Sequence, residues 1–383
     1  MTKGLVLAGG GARGSYQVGV YKALRELGWN PGVITGTSVG CLNGALFALD
    51  QWELARDMWL TIDDGQVMLR PENGTGTELT AFLENVVKNG GMDVTPLEQT
   101  VCRAVDEAAL RAAPVRYGLV TVNKRTLRPL ELPLEEIPEG RLVDYMLASA
   151  ACFPAFRPRA IDGEEFIDGG YADNMPLGLA AHMGAEELLA VDVDGVGITR
   201  PNLTGLPTTY VRSHWELGSI LVFQPETAKR NMALGYQDCH RAFGKVLGAA
   251  YALRAGEEKA LAVGFARPYA RLLKDAISRN PALALAEGAA VLPMEGLQAA
   301  GAEKALAPLE RACELAGVDP VGVYTARELF GAFLEASDPA GAERFAPLLR
   351  EDAGLCLKET ALAAAAPGDF LQALVRAALL AAE

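Results

Sequence analysis

The chain has no excess of basic residues. Its 383 residues include 35 lysines and arginines against 48 aspartates and glutamates, which gives a net charge of −13 at pH 7. Nucleic-acid binding requires Lys and Arg concentrated on one face, so this balance argues against a nucleic-acid partner. The same charge disfavours purely electrostatic adsorption to anionic lipid and leaves an apolar contact with a membrane surface open.

Clustered metal ligands are also lacking. The six cysteines are scattered singly, with no CxxC and no Cys/His cluster, so neither a zinc site nor a dense disulfide framework is predicted. The sequence contains no carboxylate-rich loop of the EF-hand type. We therefore predict a protein that works without a metal or other cofactor.

No uninterrupted apolar run reaches the length of a membrane span. The strongest candidate, Ala361 to Ala382, contains Pro367, Asp369 and Arg376. The first residues, MTKGLVLAGGGARG, predict a strand and a turn rather than a signal peptide. Because 50% of the residues are hydrophobic, a folded protein with a large core is expected. A reducing cytoplasm is the expected compartment, since the cysteines are scattered and no signal peptide is predicted.

What the sequence does contain is two glycine-rich turns, each between a strand and a helix. Lys3 to Ala8 predicts a buried strand, residues 9–14 read GGGARG, and a helix then runs to Leu27. Val33 to Gly36 predicts the second strand and Val39 to Leu49 the second helix. This order favours a largely parallel sheet with both turns at the same edge.

The second turn carries a candidate nucleophile. Gly36-Thr37-Ser38-Val39-Gly40 has the form Gly-x-Ser-x-Gly, in which a tight strand-to-helix turn lifts the serine hydroxyl out of the sheet. Glycines on both sides let the backbone bend, and the helix that follows directs its amides and dipole toward developing charge. The pentapeptide is a weak signal by itself, and a purely structural glycine-rich loop is the alternative.

The first turn fits both a dinucleotide fingerprint and an oxyanion hole; its residues are Gly9, Gly10, Gly11, Ala12, Arg13 and Gly14. A dinucleotide site wants an acidic residue at the end of the second strand, where this chain has Gly36-Thr37-Ser38. A P-loop would need a following Gly-Lys-Ser/Thr, which is lacking. Successive glycine amides can instead point at one oxygen atom and stabilise its negative charge, with Arg13 orienting the loop or neutralising nearby charge.

A serine nucleophile needs a base, and an aspartate is the better candidate. The three histidines of the chain lie in no recognisable motif: His182, His214 and His240. Asp168 ends a predicted strand and precedes Gly169 and Gly170, so its carboxylate is uncrowded. In a partly dry pocket such a carboxylate has a raised pKa and can accept a serine proton. A turn role for Asp168, and competition from Asp162 or Asp173, stay open.

Taken together, these stretches resemble the patatin-like phospholipase family. The resemblance rests on GGGARG, then GTSVG, then the small-residue block ASAACFPAF at residues 148–156, and then Asp168-Gly169-Gly170. The segment NMALGYQD at residues 231–238 is similar to one seen in bacterial members. The match covers roughly residues 1–245, with its parts in the family's order.

This resemblance implies a three-layer α/β/α fold and a Ser–Asp dyad without histidine. Ser38 would be the nucleophile and Asp168 the base, while Gly10, Gly11 and neighbouring amides would form the oxyanion hole with Arg13 at its edge. Family members hydrolyse acyl esters of phospholipids, lysophospholipids or other lipids, and some transfer acyl groups. The implied activity is therefore that of a serine-dependent lipid acyl hydrolase that proceeds through an acyl-enzyme.

The chain divides by composition near residue 255. We predict a patatin-like catalytic domain over residues 1–255 and an all-helical C-terminal region over 256–383, which is rich in Ala, Leu and Glu and has no assigned role. Within the first part, Gln51 to Val105 is expected to be mostly helical, as cap-forming segments often are. Nothing in the sequence predicts the oligomeric state.

Three rival hypotheses remain from the sequence. A Ser–His–Asp esterase of the α/β-hydrolase type would use His182 or His240 as its base. A lipid-binding or regulatory protein could keep the pocket with little turnover. Nucleotide binding by the first glycine loop would predict a measurable affinity for NAD or ATP.

Overall fold

The computed structural model describes residues 1–69, 90–283, 302–350 and 354–382. The chain forms two compact units, Met1–Ala242 and Phe243–Glu383. The boundary predicted between residues 255 and 256 thus falls inside the second unit. The middle of the stretch predicted to be mostly helical, residues 70–89, lies outside the described residues.

The first unit is built on a mixed sheet. In the described residues it has eight strands, and seven of them lie in the order β5-β6-β3-β2-β1-β7-β8, with β4 paired to β3. The strands are β1 (Lys3–Leu7), β2 (Val33–Thr37), β3 (Arg116–Asn123), β4 (Pro129–Pro133), β5 (Arg159–Ile161), β6 (Glu164–Asp168), β7 (Glu187–Asp192) and β8 (Thr208–Arg212).

The centre of the sheet is parallel and buried. β1 pairs in parallel with β2 on one side and with β7 on the other, and β2 pairs in parallel with β3. Leu5 of β1 and Ile34 of β2 are both fully buried. Continuous apolar runs such as KGLVL are typical of parallel strands covered on both faces, which is why β1 and β2 were predicted well from the sequence.

Helices cover both faces of this sheet. The helices of the first unit are α1 (Ser15–Glu26), α2 (Val39–Ala48), α3 (Trp52–Thr61), α4 (Thr95–Ala104), α5 (Glu107–Ala112), α6 (Leu142–Ser149), α7 (Leu177–His182) and α8 (Pro225–Ala242). Side chains alternate along β2, so Ile34 faces Gly44 of α2 whereas the Thr35 hydroxyl donates to the Pro176 carbonyl at the start of α7. The expected α/β/α layering is therefore confirmed.

Strands β2 and β6 meet end to end. β4 pairs with Gly118–Val122 along one side of β3, which leaves the other side to β2 and β6. β2 runs parallel to β3 and ends with Thr37 opposite Val120, while β6 runs antiparallel and ends with Asp168 opposite Thr121. The carboxyl ends of two oppositely directed strands therefore face each other, an arrangement that was not predicted from the sequence.

The second unit is mainly helical. Its helices are α9 (Glu258–Leu261), α10 (Arg267–Arg279), α11 (Ala302–Ala316), α12 (Ala326–Ala336), α13 (Pro339–Glu343), α14 (Ala346–Leu349), α15 (Leu357–Ala365) and α16 (Pro367–Leu380), and a π-helical segment (Ala262–Ala266) joins α9 to α10. Phe345, Leu348 and Phe370 belong to its buried core. The expectation of a helical C-terminal region is thus confirmed.

A small sheet in the second unit was not predicted. Its strands are β9 (Val246–Leu247), β10 (Ala252–Arg254) and β11 (Val323–Tyr324), which are too short to carry an alternating pattern. The buried Glu310 carboxylate accepts the amides of residues 249, 250 and 251 at 2.8, 2.9 and 3.0 Å and so fixes the loop that leads into β10. No helix in the described ranges is both long and apolar enough to cross a membrane.

Candidate active site

Ser38 lies at a strained turn between β2 and α2. Its backbone has φ +56° and ψ −129°, a conformation that non-glycine residues rarely adopt. The flanking glycines make the turn possible: a Cβ on Gly36 would lie 2.3 Å from the Gly40 carbonyl carbon, and one on Gly40 would lie 2.2 Å from the Leu7 oxygen. Both glycines of the motif are therefore required by close backbone approach.

The Ser38 backbone is held by a second serine. The Ser38 amide donates to the Ser149 hydroxyl at 2.9 Å, and Ser149 is fully buried at the end of α6. The sequence analysis did not single out Ser149, although it belongs to the small-residue block at residues 148–156. The Ser149 hydroxyl accepts a hydrogen bond from the Ser38 amide, which has no helical partner because of the sharp turn.

Asp168 lies against Ser38. Both residues line the same cavity, and the Gly170 amide donates to the Asp168 Oδ1 at 2.8 Å. Burial raises the pKa of Asp168 to about 6, although the Gly170 amide and the Ser38 side chain act in the opposite direction by stabilising the charged form. At neutral pH the group is ionised and its basicity is higher than that of an ordinary aspartate.

The two competing aspartates are elsewhere. Asp162 lies in the exposed turn between β5 and β6, where it pairs with Arg141 at 2.7 Å. Asp173 is buried and burial also raises its pKa to about 6, but it accepts the Met175 amide and does not line the cavity that contains Ser38. Of the three aspartates, the structure brings only Asp168 to the serine.

The histidines also lie away from the serine. His182 is exposed at the end of α7, and His214 packs edge-on against Trp215. The His240 Nε2 is 3.9 Å from a Glu26 oxygen. In the described part of the chain, none of the three lines the cavity that contains Ser38.

The first glycine loop lies beside Ser38, and two of its amides have no acceptor among the described residues. The Gly9 amide donates to the Asn174 carbonyl at 3.1 Å and the Ala12 amide to the Ile220 carbonyl at 2.9 Å. Gly10 and Gly11 line the cavity, and the described residues provide no acceptor for their amides. Of the six residues predicted for the oxyanion hole, these two are placed to donate to a bound ligand.

Arg13 points away from the cavity. Its Nε donates to the Gly218 carbonyl at 2.7 Å, and its Nη1 donates to the Asp194 carbonyl and lies 3.7 Å from the Asp194 carboxylate. The guanidinium therefore ties the glycine loop to two neighbouring loops. Both roles that the sequence offered for Arg13 match the geometry: its hydrogen bonds orient the loop, and its ion pair neutralises the nearby Asp194.

A loop from Leu217 to Phe223 packs on the glycine turn. A Cβ on Gly11, whose φ is +54°, would lie 2.0 Å from the Ile220 oxygen. The loop is fixed from α8, because the buried Asn231 amide group donates to the Leu217 carbonyl at 2.9 Å. Asn231 belongs to the segment NMALGYQD. This segment therefore contacts the site indirectly, through the loop that Asn231 holds.

One apolar cavity of about 370 Å³ is lined by Ser38, Asp168, Gly10 and Gly11. Among its described lining residues, most side chains are apolar, including Leu42, Leu46, Met58, Trp59, Ile62, Val67, Leu97, Val101, Met146, Phe156, Leu221 and Phe223. Asp168 and Arg103 are the charged side chains in the described lining. Cys152 also lines it, and burial raises the pKa of that thiol to about 11, so it is a neutral group at pH 7.

In the ranges that the structure describes, no group of three or more His, Cys, Asp or Glu side chains could hold a metal ion. The arrangement is a serine hydroxyl beside a buried carboxylate, with two open backbone amides and an apolar cavity next to them. Such a constellation can perform acyl transfer.

Comparison with known proteins shows which described family part of this chain resembles. Residues 5–181 match the family model "Patatin-like phospholipase". Lysophospholipase NTE1 of Mycosarcoma maydis is 30% identical over 207 residues, which is 54% of this chain and 10% of that protein. Patatin-like phospholipase domain-containing protein 7 of Rattus norvegicus is 30% identical over 206 residues, which is 49% of this chain and 13% of that protein.

Each of these relatives is thus matched over a small part of its own length. Among solved structures, VipD from Legionella pneumophila has a TM-score of 0.43 and 14% sequence identity, over 100% of this chain and 88% of that chain.

Proposed function

Because residues 5–181 are a patatin-like phospholipase domain, we propose that this protein is a serine-dependent lipid acyl hydrolase that cleaves carboxylic ester bonds. The observation that carries the proposal is the placement of Ser38 beside the buried Asp168 in an apolar cavity bordered by Gly10 and Gly11. Two relatives are named for lysophospholipase or phospholipase activity, which supports a phospholipase A or lysophospholipase type of reaction.

In the proposed mechanism Ser38 attacks the ester carbonyl while Asp168 takes the hydroxyl proton. The oxyanion of the tetrahedral intermediate accepts hydrogen bonds from the Gly10 and Gly11 amides. Asp168 then gives the proton to the departing alcohol, which leaves the acyl group on Ser38. A water molecule then attacks the acyl-enzyme while Asp168 takes its proton. Asp168 returns that proton to the Ser38 oxygen as the bond to the acyl group breaks, and the fatty acid is released.

The substrate assignment follows from the cavity. Its lining is mostly apolar, so the acyl chain of the lipid would occupy it and remove apolar surface from water. The scheme needs no cofactor. We place the reaction in a reducing cytoplasm, which suits the six unpaired cysteines, and contact with a lipid surface is part of the proposal.

Fluorophosphonate labelling and ester hydrolysis test this function together. We expect the wild-type protein and a Ser278→Ala control, whose serine lies on the exposed face of α10, to be labelled and to hydrolyse p-nitrophenyl esters and phospholipids. Ser38→Ala should be neither labelled nor active. Labelling that persists in Ser38→Ala would contradict the assignment of the nucleophile.

Two alternatives predict different results in the same assays. A catalytically weak lipid-binding protein would bind lipid without fluorophosphonate labelling at Ser38. A Ser–His–Asp esterase would lose activity with His182→Ala or His240→Ala, whereas the proposed dyad keeps full activity in both variants.

A further inference from the structure

Four large apolar side chains are exposed on three neighbouring loops of the first unit. Tyr171 is 45% exposed, Val196 82%, Ile198 56% and Val222 41%. We call these four residues the apolar rim. Single exposed apolar residues need no explanation, but a group of them beside a ligand cavity indicates an interaction site.

The rim borders the mouth of the catalytic cavity. Tyr171 and Val196 line the cavity themselves. Val222 stands between Leu221 and Phe223, both of which line it. The Ile198 amide donates to the Gly170 carbonyl at 2.8 Å, and Gly170 is also a lining residue.

Backbone hydrogen bonds fix these loops. The Ile198 carbonyl accepts the Asn174 amide at 2.7 Å, and the Phe223 amide donates to the Asp64 carboxylate at 2.7 Å. The exposed side chains therefore belong to ordered turns that also carry the cavity wall. An ordered apolar surface loses little conformational freedom when it binds, which favours docking.

Charges next to the rim are paired. Asp194, two residues before Val196, lies 3.1 Å from Arg212 and 3.7 Å from Arg13. Arg200, two residues after Ile198, lies 2.8 Å from Glu131. The rim thus presents apolar side chains between compensated ion pairs, and these described neighbours form no cationic cluster for an anionic surface.

We propose that the apolar rim docks on the surface of a zwitterionic lipid bilayer, so that an acyl chain passes from the bilayer directly into the cavity. The proposal rests on the lipid hydrolase function and adds the surface by which the enzyme meets its substrate. Both the apolar character and the local neutrality of the rim match a surface of zwitterionic head groups above hydrocarbon.

Vesicle flotation with phosphatidylcholine vesicles tests the docking surface. The double variant Ile198→Asp and Val222→Asp changes two rim residues that do not line the cavity. Each substitution removes an apolar side chain from the lipid contact, so we expect binding to fall by at least about tenfold. Ala109→Asp is the matched control, because it adds an exposed carboxylate on α5 next to the cleft at the start of β3.

Two activity measurements separate this inference from the function on which it rests. The double variant should keep wild-type rates on soluble p-nitrophenyl acetate and lose about tenfold on phosphatidylcholine vesicles, while Ser38→Ala should bind vesicles as the wild type does. Equal vesicle binding by the double variant and the wild type would refute the proposal that the apolar rim is the docking surface. Vesicle binding by the wild type through the rim without ester hydrolysis would instead refute the hydrolase function and keep the docking surface.

Discussion

Replacing Asp168 with asparagine should inactivate the protein and stabilise it at the same time. An aspartate ordinarily ionises near pH 3.8, and burial raises the pKa of Asp168 to about 6 in the folded state. A difference of about two pKa units corresponds to about 3 kcal/mol. The negative charge that the proposed mechanism requires on Asp168 at neutral pH is therefore also a cost to folding.

The sign of the pH dependence follows from proton binding. Between pH 3.8 and about 6 the unfolded chain has released this proton while the folded chain still holds it. Stability therefore falls as pH rises through this window, and the whole penalty is present above about pH 6. Asp168→Asn removes the penalty, so we expect it to raise the free energy of unfolding by up to about 3 kcal/mol at pH 7.5 and by little at pH 4.

Asp173→Asn provides the control. Burial raises the pKa of Asp173 to about 6 as well, yet this residue does not line the cavity. The Asp173→Asn variant should also be more stable than the wild type at pH 7.5, and it should keep its activity. Urea unfolding at pH 4 and 7.5, with kcat/KM measured from pH 4.5 to 8, checks both effects.

The wild-type kcat/KM should rise about tenfold per pH unit below pH 6 and level off above it, because only the ionised Asp168 can accept the serine proton. Two results would refute this reasoning. One is an Asp168→Asn variant that gains no stability over the wild type between pH 4 and 7.5. The other is an Asp168→Asn variant that retains wild-type activity.

Three further predictions concern the glycine turn and its supports. Gly11→Ala should lower kcat by about 10²–10³-fold, because its Cβ would lie 2.0 Å from the Ile220 oxygen, whereas Gly28→Ala, at a positive φ in open space, should leave kcat unchanged. Arg13→Gln should lower kcat about tenfold to a hundredfold with little change in KM in steady-state assays, because it releases two loops from the turn; an unchanged kcat would contradict this. Asn231→Leu leaves a loop carbonyl without its donor and should cost about 1–3 kcal/mol in urea unfolding, and undiminished stability would argue against that support.

The local motifs of the site were predictable because short-range chemistry fixes them. A Cβ cannot fit at Gly36 or Gly40, so a Gly-x-Ser-x-Gly turn can be recognised without knowing its surroundings. Asp168 was predictable from the two glycines that follow it. Whether Ser38 and Asp168 carry out catalysis stays a prediction until the variants are measured.

Other parts of the site depend on contacts between distant segments. The hydrogen bond between the Ser38 amide and Ser149 joins residues 111 positions apart in the sequence. The hydrogen bond from Arg13 to the Gly218 carbonyl joins residues 205 positions apart. No local pattern encodes such pairs. The reversed direction of β6 was missed for a related reason, because a five-residue strand carries no signal for the direction in which it pairs.

The end-to-end meeting of β2 and β6 has a consequence for local opening of the fold. The β6 register holds only three pairs with β3, from Asn123–Phe166 to Thr121–Asp168, whereas the β2 register holds five. A brief detachment of the β5–β6 hairpin would separate the carboxylate from the hydroxyl and leave the serine turn in place. Loss of activity in mild denaturant should then precede loss of the parallel core, and hydrogen exchange at Asp168 should be faster than at Leu5.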